Sequence, residues 1–83
     1  MNKFKIGCLV KAKAQRTRTG LILAFIYREI DGPDGPSIWI DDSTACLFLG
    51  DQELKLHPGF MGYSLVLCGE QKLICRTDEL ETI

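Results

Sequence analysis

Four cysteines, one histidine and a run of basic side chains are the residues of this 83-residue chain that could do chemistry. Cys8, Cys46, Cys68 and Cys75 are spaced 38, 22 and 7 apart, with no Cys-x-x-Cys pair. Tetrahedral zinc sites draw on closely spaced ligand pairs, so no metal is expected. Each cysteine sits in an apolar run, as in Gly7-Cys8-Leu9-Val10 and Leu73-Ile74-Cys75. That is how reduced cysteines behave as small core residues, which predicts four free thiols and a reducing, cytosolic compartment. His57 is the sole imidazole for a nucleophile–base pair, and Leu56-His57-Pro58-Gly59 reads as an exposed loop. Asp41 and Asp42 are adjacent, and consecutive strand residues point to opposite faces. They suit the end of a strand and a turn better than an acid–base pair. Gly59-Phe60-Met61-Gly62 has glycines but no lysine and no helix pattern after it, so it is no phosphate loop. The expectation is a non-enzymatic chain without cofactor.

The charge pattern points to a contact surface instead. Residues 1–28 carry seven basic and no acidic side chains, whereas residues 29–83 carry three basic and eleven acidic ones. Lys11, Lys13, Arg16 and Arg18 concentrate in and beside Lys13-Ala14-Gln15-Arg16-Thr17-Arg18-Thr19, a polar loop after the first strand. Alternate spacing on an extended chain points Lys11 and Lys13 the same way, and likewise Arg16 and Arg18. Such a loop suits an anionic partner, either nucleic acid or an acidic protein surface. Against this, strands that bring the two halves together would pair or solvate the charges.

A second candidate surface is apolar. Phe60, Met61 and Tyr63 lie in a glycine-flanked segment, and Trp39 sits between Ile38 and Ile40, which face the other way. Exposed aromatic and methionine clusters mark protein-binding sites. The competing assignment has Trp39 covering the outside of a barrel while Phe60 and Met61 plug its open end.

The elements that must position these residues are strands. No window shows apolar positions at i, i+3, i+4 and i+7, whereas short Ile, Val, Leu and aromatic runs are bounded by Gly, Pro and Asp. Strands are expected at residues 7–12, 21–30, 37–41, 63–68, 72–76 and 80–83. Apolar residues on both faces of 21–30 imply a strand covered on both sides for part of its length. Asp31-Gly32-Pro33-Asp34-Gly35-Pro36 and Gly69-Glu70-Gln71 are turns. Thr77 is expected to cap one helical turn over Thr77-Asp78-Glu79-Leu80. Residues 42–62 fit a further hairpin or a short helix. Val10, Ile22, Ala24, Ile26, Ile40, Leu65, Leu67 and Leu80 are expected to share one core.

Composition agrees with one small domain spanning residues 1–83: 46% hydrophobic, 25% charged and a formal charge of −1. No apolar run approaches the roughly 18 residues of a membrane span, so no membrane association is expected. Met1-Asn2-Lys3-Phe4-Lys5-Ile6-Gly7 lacks an apolar signal-peptide core, which argues against secretion. A domain this small buries a modest core, which favours a binding module over an enzyme.

Two ends of the chain carry a family resemblance. Ile6-Gly7-Cys8-Leu9-Val10-Lys11, a polar loop and Thr19-Gly20-Leu21-Ile22-Leu23 resemble the start of SH3-like and KOW-type barrels. Ser64-Leu65-Val66-Leu67-Cys68-Gly69-Glu70, with Thr77-Asp78-Glu79-Leu80-Glu81-Thr82-Ile83, is similar to the close of small SH3-like proteins encoded by tailed phages. Cys68 stands where that pattern often has tryptophan, and residues 42–62 have no counterpart. The resemblance implies an all-β fold: a small, partly open SH3-like barrel of five to six short strands with one C-terminal helical turn. It also implies a phage-encoded binding module in the host cytoplasm, with a host or phage protein as an alternative partner.

Overall fold

The structure, a computed structural model, describes residues 4–14, 18–28 and 35–83. Among them, seven strands form one antiparallel sheet: β1 Leu9–Ala12, β2 Ile22–Tyr27, β3 Ser37–Ile40, β4 Cys46–Gly50, β5 Tyr63–Cys68, β6 Gln71–Arg76 and β7 Leu80–Thr82. They run in the order β3-β2-β6-β5-β4-β1-β7 and curl into a half-barrel. The expected all-β class holds. The strand count exceeds the five or six expected, because β4 lies in the stretch the sequence left open. The rest of that stretch is neither hairpin nor α-helix but two 3-10 turns, Gln52–Leu56 and Pro58–Phe60. A third 3-10 turn, Thr77–Glu79, occupies the expected position. Thr77 does not cap it; its hydroxyl is hydrogen-bonded to Ser64 instead, which satisfies the buried Ser64 side chain.

Strand alternation sorts the apolar residues onto two faces. Val10 and Ala12 of β1, Ile22 and Ala24 of β2, Cys46 and Phe48 of β4, Val66 of β5, Leu73 and Cys75 of β6, and Leu80 of β7 point inward. They form the main core, with the Phe4 ring edge-on to Phe48 at 5.3 Å. The opposite face of the same strands carries a second cluster. Leu65 of β5 and Ile74 of β6 are buried there under Leu54, with Phe25, Tyr27, Leu49, Phe60 and Tyr63 packed around them. The 3-10 segment is therefore a lid on the outside of the sheet.

Two apolar clusters rather than one explain a correction to the expected core. Leu65 belongs to the outer cluster, and Leu67 is half-buried in neither, because both share the outward face of β5. The two-sided reading of β2 holds: Ile22 and Ala24 face the main core, and Phe25 and Tyr27 the outer one.

The cysteines also depart from expectation. Cys46 and Cys68 form a disulfide, and only Cys8 and Cys75 are free. Register Leu47↔Leu67 puts the two cysteines directly opposite each other, with Cα atoms 4.7 Å apart. That is the closer of the two antiparallel spacings, where facing side chains meet. A spacing of 22 in sequence hides a contact made by strand register. The disulfide removes the argument from four thiols to a reducing compartment.

Candidate interaction surface

Three of the four basic candidates, Lys11, Lys13 and Arg18, lie on the described residues. Lys11 faces outward from β1, and its Nζ lies 3.9 Å from Glu81 Oε1 on the neighbouring β7. Lys13 is half-buried just past β1, where its N–H donates to the Glu79 carbonyl at 2.8 Å. Arg18 is exposed, and Arg16 lies outside the described residues. Thr19 Oγ1 accepts from the Leu21 N–H at 3.3 Å, so this hydroxyl shapes the loop exit. The acidic half of the chain thus reaches the basic half through the β1–β7 pairing.

The apolar candidates divide in two. Phe60 and Tyr63 belong to the outer cluster, their rings edge-to-face at 5.2 Å, with Phe25 6.1 Å from Phe60. Phe60 therefore packs on the outside of the sheet and does not plug the barrel's end. Met61 beside them is 85% exposed. These three residues line a groove with Leu54 and His57, so His57, in the link between the two 3-10 turns, is half-buried rather than exposed. Trp39 lines a different groove, with Leu21, Ile38, Ile40, Cys68 and Leu73.

Trp39 owes its position to hairpin register. The β2–β3 pairs run Ile22↔Ile40, Leu23↔Trp39, Ala24↔Ile38 and Phe25↔Ser37. Gly35 allows the hairpin to close, because a Cβ there would lie 2.1 Å from the Ile26 carbonyl oxygen. The next residue, Pro36, accepts the Ile26 N–H at 2.8 Å. With Ile40 and Ala24 turned into the core, Trp39 and Leu23 stand together on the outer face. Trp39 is 60% exposed and Leu23 36%. The outer lid over residues 52–60 does not reach them.

Just past β3, the Asp41 carboxylate accepts the Ser43 Oγ–H at 2.5 Å and the Ser43 N–H at 3.0 Å. These bonds, the hydroxyl's first, hold the Asp41 carboxyl below its ordinary range, so it is a fixed negative charge. This is the turn expected of the Asp41-Asp42 pair. Asp41 is the one charged residue among the described residues lining the Trp39 groove.

An outward stripe escaped the sequence reading. Leu9 pairs with Leu47 and Leu47 with Leu67, while the Ile83 N–H donates to Leu9 at 3.3 Å. Leu9 and Ile83 are exposed, and Leu47 and Leu67 half-buried. Its one sequence signal was that Leu9 lies off the Cys8–Val10–Ala12 face.

Among the described residues, no group of three or more His, Cys, Asp or Glu could hold a metal ion, and no helix is long and apolar enough to cross a membrane. No family model, curated protein or solved structure matches the chain.

Proposed function

We propose that this chain is a non-enzymatic protein-interaction module that docks through the β3 edge of its sheet. The observation that carries this reading is Trp39, a large apolar ring left 60% exposed beside Leu23 on the terminal strand. Covering the exposed part of a tryptophan contributes about 3 kcal/mol, roughly a hundredfold in affinity. Tryptophan is also among the residues on which binding energy concentrates. The small-barrel reading of the fold as SH3-like, and a phage origin, rest on the motifs at the two ends of the chain. A module docking on a host or phage protein is consistent with both.

Affinity capture from cells that express the protein tests this. The wild type is expected to retain a protein partner at high salt, with no more than a severalfold loss relative to low salt. Trp39→Ala should lose about a hundredfold in affinity with an unchanged far-ultraviolet spectrum. Retention that survives Trp39→Ala contradicts the reading.

A second reading, an anionic partner at the basic loop, is favoured by the exposure of Arg18 and by the absence of acidic residues before position 29. Four cations engaging three or four phosphates give a salt slope of about −3. The Lys11–Glu81 pair weighs against it, since it draws one of those cations toward an acid.

A further inference from the structure

We infer that the occupant of the β3 edge is an extended polypeptide segment, adding as a further strand and carrying a basic side chain toward Asp41. This rests on the docking reading above and names its partner class.

Backbone geometry comes first. In an antiparallel pair, residues alternate between those that bond to the partner strand and those whose N–H and C=O point away. The Ile26 N–H donates to Pro36, so the in-register pairs Ala24–Ile38 and Ile22–Ile40 are the bonded ones. Ser37 and Trp39 therefore direct their N–H and C=O groups away from β2. Since β3 ends the sheet, these four groups meet no ladder partner among the described residues. They form the template that an extended segment completes.

The two edges of the sheet differ in how they are guarded. Natural edges are blunted by charge, proline, bulges or brevity. The other edge strand, β7, has three residues, with Glu81 at its centre beside Lys11. β3 has four residues, Ser37-Ile38-Trp39-Ile40, and none is charged. Only Pro36 precedes it.

Charge then selects the occupant. The residues lining the groove beside Trp39 are apolar or neutral, Ser43, Thr44 and Gln71 among them, except for Asp41, which its Ser43 hydrogen bonds keep ionised. No basic residue is among those lining it. A second copy of this chain pairing β3 against β3 would bring another Asp41, with no basic residue among those lining its own groove. An incoming strand with an apolar residue opposite Trp39 and Lys or Arg two positions away, on the same face, satisfies Trp39, the free backbone groups and Asp41 together. Arginine can also stack on the indole face.

Selection of a random dodecapeptide library on the folded chain tests this. Enriched peptides should carry an apolar residue with Lys or Arg two positions away, and should lack proline at the pairing positions. A selected peptide should lose affinity at least about tenfold with Trp39→Ala and severalfold with Asp41→Asn. It should slow amide hydrogen exchange at Ser37 and Trp39 by at least about tenfold. Trp39-dependent binding without that protection, or enrichment of acidic or helix-patterned peptides, overturns strand addition and leaves the docking reading standing. Peptides indifferent to Trp39→Ala overturn the docking reading itself, and no enrichment overturns the inference. A concentration-dependent dimer in sedimentation, abolished by Trp39→Ala, makes a second copy the occupant and also overturns it.

Discussion

Cys75 shows what burial does to a single side chain. Desolvation in the main core, reinforced by Glu79 nearby, pushes its thiol up from 9.0 to about 12. The neutral thiol is thus favoured by the folded state. That stability is complete below pH 9, where both states keep the proton. It is lost as pH rises from about 9 to about 12, where the unfolded chain ionises first. The slope is on the order of 1 kcal/mol per pH unit. Urea unfolding at about pH 8 and 10.5 should therefore show the wild type losing more stability than Cys75→Ala. Parallel losses in the two proteins would contradict this. The burial of Cys75 was legible in Leu73-Ile74-Cys75, as was the turn made by Asp41. Trp39's partner Leu23 was not, because register depends on how the hairpin closes at Gly35 and Pro36.

At the scale of elements, β5 and β6 organise the molecule because both of their faces are covered. Val66, Leu73 and Cys75 close one core, and Leu65 and Ile74 the other. The apolar run Leu65-Val66-Leu67 marked a strand at residues 63–68, but two-sided cover was read only for residues 21–30. What covered the second face could not be read, since the 3-10 turns of residues 52–60 carry too short a periodicity to signal themselves. Leu54 is the pin of that lid, at 2% exposure. Leu54→Ala should destabilise by about 2–4 kcal/mol in denaturant unfolding, through lost burial and a residual cavity. A change within about half a kcal/mol would mean the lid is not packed.

The Cys46–Cys68 link ties the two strands that flank this lid. Its 22-residue loop is worth about 3 kcal/mol in chain entropy. Alkylation of denatured, unreduced protein should modify the two free thiols, Cys8 and Cys75, and leave the paired ones unmodified. Four modified thiols would show that the pair is not bonded.

For the whole molecule, the sequence divides into a basic first third and an acidic remainder, and the sheet folds one onto the other. Lys11 meets Glu81 across β1 and β7, while Lys72 and Glu53, 3.8 Å apart, pair within the acidic remainder. Exposed pairs of this kind contribute about 0–1 kcal/mol each, so their larger consequence is to spread the charge. The separation visible along the chain is partly cancelled in space, and the apolar β3 edge becomes the more distinctive surface. All-β class, most strands and the terminal turn were legible from short apolar runs and turn residues. Sheet order and the lid depend on contacts distant in sequence and were not. A photoreactive side chain placed in turn at positions 39 and 18, in cells that express the protein, tests the central claim most directly. Docking at the β3 edge predicts a discrete protein adduct at position 39 and none at position 18. A nucleic-acid adduct at position 18, with none at position 39, would contradict it.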